Sequence, residues 1–303
     1  MMRWLYLAKI LLHLHKLAQA VRSPFRSLWQ IVLGKDEHYL RLRDGEVLLR
    51  SITPPNLFGF TLLRSAGVQL ASEQPSAPDQ LLWQLTPTGQ FLTRLTTGMD
   101  LMTLYELFVR KDYGEDFADK VVVDVGAYNG DSAIFFALQG AQKVIALEPY
   151  PPNYELAQAN VARMHLEEKI ILLPVALGAE VGHLSFKVAA ASPDANSLEP
   201  TNSPLLKLIR YTEAVEVEVL SLPALMAQYS LETIDFLKLD CEGCEFGVIE
   251  SLTPAQLRSV RVWHIEYHAK PDRLIHKLQA AGFRVRRERD RGGVLGYVIA
   301  DFG

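Results

Sequence analysis

Apolar residues at Trp4, Leu7, Leu11, Leu14, Ala18 and Val21 recur three and four positions apart, the spacing of one helix face. Pro24 ends that helix near Ser23, because proline disfavours helical backbone in the residue before it. Residues 39–49 follow another rhythm. Apolar and polar positions alternate on both sides of Asp44-Gly45, which predicts a hairpin with a tight turn. Residues 71–79 are rich in proline, serine and alanine and read as a loop. A second short strand pair is expected at 81–85 and 90–95. Asp100 is expected to N-cap a helix running to about Arg110.

From Val121 onward strands and helices alternate. Strands are expected at 121–125, 144–147, 170–175, 234–239, 260–265, 283–287 and 293–300. Helices are expected at 132–138, 154–164, 246–251 and 272–281. That alternation predicts a mostly parallel, doubly wound α/β sheet. Its last two strands are joined by a short loop at Gly292-Gly293, so they should pair antiparallel at the edge. Residues 189–212 have no clear period and contain three prolines, which suits a lid over the site. The chain divides on this reading into a helix with a small α+β cap, 1–98, and the α/β domain, 99–303.

Composition changes this picture little. With 303 residues, 49% hydrophobic and 22% charged, the chain can bury an ample core. A net charge of -4 gives no global sign of a nucleic-acid partner. The N-terminus is locally basic: Arg3, Lys9, Lys16, Arg22 and Arg26 all precede the first acid, Asp36. A basic amphipathic helix serves packing, homodimer formation or attachment to the inner face of an anionic membrane. Lys9, His13, His15 and Lys16 interrupt the apolar stretch a secretory leader needs, and no apolar run is long enough to span a bilayer. Arg284, Arg286, Arg287, Arg289 and Arg291 cluster with few interleaved aromatics, so a solvated strand edge is expected rather than a nucleic-acid surface. Two cysteines make no disulfide framework and favour the cytoplasm.

The chemistry is concentrated at strand ends. Asp124, Val125, Gly126, Ala127, Tyr128, Asn129, Gly130 and Asp131 link a buried strand to a helix, and Glu148 ends the next strand, followed by Pro149. An acid in that position accepts hydrogen bonds from ribose hydroxyls. A dinucleotide fingerprint needs a third glycine that this loop lacks, and Asp124 would repel a pyrophosphate. S-adenosylmethionine, with its ammonium, sulfonium and ribose, suits the acids better. The second constellation, Lys238 to Glu245, gathers Asp240, Glu242 and Glu245 where a strand meets a helix. The third, Ile265 to His268, places Glu266 and His268 two apart on one strand face. Asp240 and His268 are the candidate general bases, with Glu266 as orienting group and Glu242 in reserve. No metal is assigned, although Asp240, Glu242 and Glu266 offer the oxygen ligands of a divalent ion. Cys241 and Cys244 lack the second pair that a zinc site wants and read as small half-buried residues beside the acids.

These motifs, with Asn160 and the stretch Pro174-Val175-Ala176-Leu177, resemble the FkbM family of methyltransferases. Its pattern is approximately D-V-G-A-x-x-G-D, E-P, K-x-D-x-E-G-x-E and I-E-x-H. The resemblance spans about residues 100–300. It implies a Rossmann-like class I methyltransferase fold with S-adenosylmethionine as methyl donor. It further implies a donor site at residues 124–131, Glu148, Pro149, Val175, Ala176 and Asp240, and O-methylation of a glycan or other small-molecule hydroxyl. Two positions depart from the pattern. Ser221-Leu222-Pro223 lacks the family's usual aspartate, and Tyr128 replaces a smaller residue. Alternatives are an RNA or protein methyltransferase using the Arg cluster, a nicotinamide dehydrogenase, and a non-catalytic scaffold of glycan assembly.

Overall fold

The computed structural model describes residues 8–25, 29, 40–41, 48–49, 52–77, 79–96, 98–189, 211–290 and 292–302. The chain forms two compact units: one of residues 1–115 with 162–165, the other of 116–161 with 166–303. The sequence pattern sets its division at 98/99; by contacts, the helix Asp100–Phe108 falls in the first unit.

In the first unit, Ile10, Leu17 and Val21 are fully buried, and the helix Leu14–Ala20 packs on the helix Pro54–Ser65. The second of these helices is absent from the sequence reading. Its start is well specified all the same: the Thr53 side chain accepts from Asn56 N, and prolines fill the first helical positions. β1 (Leu40–Arg41) and β2 (Leu48–Leu49) pair antiparallel, as the alternation predicts, while the Asp44-Gly45 turn lies outside the described residues. β3 (Gln69–Leu70), β4 (Gln80–Gln84) and β5 (Gln90–Arg94) form an antiparallel meander. Asp100 does not cap its helix. Met99 holds the N-cap position, and the buried Asp100 carboxylate accepts from Arg94 N at 2.8 Å and pairs with its guanidinium.

The second unit holds a seven-stranded sheet built from β6 (Val121–Val125), β7 (Lys143–Leu147), β8 (Ile170–Leu173), β12 (Ile234–Leu239), β13 (Val260–Tyr267), β14 (Arg284–Glu288) and β15 (Gly296–Asp301). Their order is β14-β15-β13-β12-β6-β7-β8. The strands from β13 through β8 pair in parallel. β15 runs antiparallel between β13 and β14, so the antiparallel pair at the edge is as expected. A separate small sheet, missed in the sequence, has β9 (Ala176–Gly178) parallel to β11 (Glu213–Ser221), which pairs antiparallel with β10 (Gly182–Val188). The expected strand at 170–175 ends at Leu173, and Pro174-Val175 turns the chain toward β9. Residues 190–210 of the expected lid lie outside the described residues.

The period of two along the central strands decides what the sheet carries. Val123, Val125, Ile145, Leu147, Leu237, Leu239, Trp263 and Ile265 point to one face and join a single apolar core. On the other face Phe236 meets Phe117 and Phe136, next to Phe135, in an aromatic cluster under the helix Asp131–Leu138. Two residues beyond Phe236 on that same face comes Lys238, paired in register with Asp124 on one side and His264 on the other. Two further on lie Asp240, Gly126, Glu148 and Glu266, all at the carboxyl edge. The strand period that builds the core therefore lines up the polar row.

Candidate active site

Asp124 has no exposed surface. Its Oδ1 lies 3.1 Å from Lys238 Nζ, and its Oδ2 accepts from Ser132 Oγ at 2.6 Å. It therefore holds the loop to the sheet, not a charge toward solvent. Lys238, itself buried, donates to Gly126 O at 2.8 Å and stands 3.7 Å from Asp240 Oδ2. Burial disfavours its charge, but Asp124 and Asp240 outweigh burial and raise its pKa above the usual lysine range. His264, beside Lys238, is held neutral: burial first and the Lys238 charge second push its pKa down to about 3. Lys238 is the candidate-site residue that the sequence pattern includes without a role. Its alternation with Asp240 and Phe236 on one strand was the available signal.

The loop after β6 is fixed by backbone. Gly126 N and Ala127 N both donate to Leu147 O, and Gly130 N to Ala127 O. Gly126 has φ +80, and a Cβ there would sit 1.8 Å from Asp240 O, so only glycine lets the two strand ends meet. Tyr128 also has positive φ, at +50. Gly130 is the left-handed N-cap of the next helix. Asn129 Oδ1 accepts from Asp131 N, and Asn160 Nδ2 donates to Asn129 O at 2.9 Å. Asp131 opens the helix and accepts from Ser132 N. Glu148 Oε2 accepts from Tyr128 N and Oε1 from Tyr150 N, each at 2.9 Å. Burial raises Glu148 to about 7 against those bonds. Pro149 is half-buried beside it. Val175 and Ala176 are buried just past the end of β8, the strand next to β7.

The third group lies at the ends of β12 and β13. His268 is buried between two carboxylates, its Nε2 3.1 Å from Glu242 Oε2 and its Nδ1 3.3 Å from Glu245 Oε1. Burial opposes the charged ring, yet those two acids raise its pKa well above the ordinary histidine range. The imidazolium form donates to both, and with each ring nitrogen facing a carboxylate His268 has no nitrogen left to take an acceptor's proton. Glu242 and Glu245, not Glu266, orient it. Glu266 instead hydrogen-bonds Asp240; burial first and the Asp240 charge second raise its pKa well above the carboxylate range. Burial likewise raises Glu242, against the pull of His268. Asp240, Glu266 and His268 bring one ligand atom each within 4.8 Å of one another, and a divalent cation there would have to displace the His268 proton and one of its carboxylate partners. Cys241 and Cys244, which the sequence reading left as plain thiols, are joined by a disulfide.

A family model described as the methyltransferase FkbM domain matches residues 124–285, a little over half of the chain. The chain belongs to the FkbM methyltransferase family. It is 27% identical over 218 residues to AMB antimetabolite synthetase AmbE of Pseudomonas aeruginosa, covering 61% of this chain and 10% of that protein. It is also 27% identical over 164 residues to Methyltransferase 1 of Beauveria bassiana, covering 48% of this chain and 65% of that protein. The chain thus spans less than two thirds of either relative. The methyltransferase FkbM from Methylobacillus flagellatus KT is similar with a TM-score of 0.44 and 13% identity, over 65% of this chain and 47% of that one.

Two further features bear on this FkbM methyltransferase. Where the family pattern has an aspartate, Ser221 caps the helix Leu222–Gln228, its hydroxyl accepting from Ala224 N, so the position keeps a capping oxygen. Arg291 lies outside the described residues, and the other four C-terminal arginines are engaged. Arg284 and Arg286 both pair with Asp301, Arg287 with Asp290, and Arg289 stacks over Tyr297.

Proposed function

We propose that this methyltransferase uses S-adenosylmethionine to methylate a hydroxyl of a glycan, sugar or other small molecule. The observation that carries the reading is the contact between Gly126 and Asp240. The loop expected to hold the donor and the acid expected to serve the acceptor touch through their backbones.

The donor set fits the cofactor. Glu148 and Asp240 stand at the carboxyl edge of the sheet, with Glu242 on the turn after β12 and Asp131 at the start of the next helix, and the lysine among them is already committed to Asp124. Such an edge attracts a cationic ligand and repels a pyrophosphate. When bound, the cofactor supplies an activated methyl group on a sulfonium. Glu148 would accept from ribose hydroxyls while keeping its bonds to Tyr128 N and Tyr150 N, since a carboxylate has lone pairs to spare. Asp240, the most open of the acids beside Lys238, would take the acceptor hydroxyl's proton at a carboxylate oxygen. Glu266 hydrogen-bonds Asp240, and a bond between two carboxyl groups needs a proton, so the pair carries one negative charge and not two. His268 acts indirectly, as the cation that fixes Glu242 and Glu245. Holding two partners close and dry supplies much of the rate in such a displacement.

The test uses labelled S-adenosylmethionine with libraries of sugars and small alcohols. Asp240→Asn should lower turnover about 10²–10⁴-fold, the usual range for loss of a general base. Full turnover in that variant would remove Asp240 from the role. A second reading concerns the first unit: Leu11 and Leu12 are 60% and 78% exposed, and Phe25 and Trp29 also face solvent. With Lys9, Lys16 and Arg22 nearby, they suit contact with an anionic membrane surface.

A further inference from the structure

The Cys241–Cys244 disulfide closes across Glu242 and Gly243, which have φ +54 and +132. For a residue with a Cβ, the left-handed turn at Glu242 has to be held by its surroundings. The turn has consequences on both sides. Within it, Glu242 binds His268, and Gly243 N donates at 3.2 Å to the Glu245 oxygen that also receives His268 Nδ1. On its other flank, a Cβ on Gly126 would meet Cys241 Cα at 3.7 Å, just beyond its collision with Asp240 O. A ring this short recovers little chain entropy, so the bond's effect is local geometry more than global stability. Cys241 is half-buried, whereas Cys244 is nearly covered.

We propose that Cys241 and Cys244 form a two-electron redox clamp. Oxidised, it fixes the Glu242 turn onto His268 and against the Gly126 loop. Reduced, it loosens both. The inference rests on the reading that the Gly126 loop holds the methyl donor. The reductant would be a protein dithiol. One of its thiolates attacks Cys241 Sγ, the more accessible sulfur. The S–S bond breaks, and its electron pair leaves on Cys244 Sγ, which takes up a proton. The reductant's second thiolate then attacks its own sulfur in the mixed disulfide and releases Cys241, which is protonated in turn. The dithiol ends as a disulfide and the enzyme as two thiols; the reverse reaction consumes a disulfide oxidant of the same class.

The experiment compares full-length protein oxidised with diamide and reduced with dithiothreitol. Alkylation with iodoacetamide after denaturation should label neither cysteine in the first state and both in the second. Reduction should speed hydrogen exchange in residues 241–246 and 126–131. It should also weaken S-adenosylhomocysteine binding, read by calorimetry, about fivefold, as for the loss of one hydrogen bond. The Cys241→Ser/Cys244→Ser variant should give the loosened values in both conditions. Thiols that remain fully alkylatable after diamide would overturn the clamp, as would equal exchange and equal affinity in the two states. If neither state binds S-adenosylhomocysteine while exchange differs, the clamp stands and the donor reading fails.

Discussion

Replacing Lys238 by methionine keeps most of the side chain's length and removes its charge. The site then holds an Asp124 carboxylate with no exposed surface and no cation 3.1 Å away. At an effective dielectric of about 20, a pair at that distance is worth about 5 kcal/mol. Relief of the lysine's own desolvation returns part of this. Broken buried pairs generally cost about 3–5 kcal/mol, because one charge is left uncompensated. Lys238→Met should therefore destabilise the protein by about 3–5 kcal/mol in urea unfolding at neutral pH. Asp124→Asn retains the bond to Ser132 and should relieve much of that loss in the double variant, with a coupling of about 2 kcal/mol or more. A Lys238→Met variant within about 1 kcal/mol of the parent, additive with Asp124→Asn, would refute the account of Lys238 as the charge that locks the loop to the sheet.

Gly126→Ala should collapse donor binding, since its Cβ would overlap the Asp240 carbonyl and φ is +80; calorimetry with S-adenosylhomocysteine checks it, and retained affinity would mean that the loop can shift. For Glu148 the sign runs one way. Its folded pKa, about 7, lies above the ordinary 4.5, so the folded state holds the proton more tightly, and stability falls as pH rises between those values. Glu148→Gln should remove that slope, worth up to about 3 kcal/mol, in urea midpoints measured from pH 5 to 8; an unchanged slope would exclude Glu148 as its source. Leu11→Ser/Leu12→Ser should reduce sedimentation with phosphatidylserine vesicles if the exposed pair touches membrane, and should leave neutral vesicles unaffected.

What the sequence disclosed followed from strong local signals. The stretches 121–125 and 234–239 appear as β6 and β12 with the expected bounds, because their apolar residues serve both faces of a buried parallel strand. The glycines and acids at the strand ends likewise meet at the carboxyl edge of the sheet, where the candidate site lies. The roles were less legible than the positions. Nothing local distinguishes Glu266 from Glu242 or Glu245 as the partner of His268. That choice depends on how the turn after β12 folds back toward β13, which places Glu242 at 3.1 Å and Glu245 at 3.3 Å. The disulfide is hidden for a similar reason: in this chain it closes across a turn whose two intervening residues have positive φ, which the spacing of the cysteines does not specify. β10 and β11 carry a legible signal absent from the sequence reading: Val215, Val217 and Val219 alternate with Glu216 and Glu218, and Leu184, Phe186 and Val188 with Ser185 and Lys187, the period of a half-buried strand.

The charges at the carboxyl edge also bear on the acceptor. Asp240, Glu242, Glu245 and Glu148 stand there, with Glu266 hydrogen-bonded to Asp240 through a proton, while the cations Lys238 and His268 are each held by two of the surrounding carboxylates. A phosphate brought to Asp240 would approach a negative edge without a free counter-charge among these residues. At about 4 Å and an effective dielectric near 20, one such repulsion costs about 4 kcal/mol before relaxation. A neutral hydroxyl meets no such cost. Among the described residues, the arginines of the C-terminal cluster are paired with Asp301 and Asp290 or stacked on Tyr297. Turnover should therefore be measurable with neutral sugars or alcohols and lower by at least about tenfold with the same compounds phosphorylated near the accepting hydroxyl. Raising ionic strength should narrow the gap, because screening weakens repulsion between partly exposed charges. A phosphorylated acceptor turned over faster than its neutral counterpart would show that a cation, from the protein or from solution, completes this edge, and a chelator titration on the Asp240, Glu266 and His268 set would identify which.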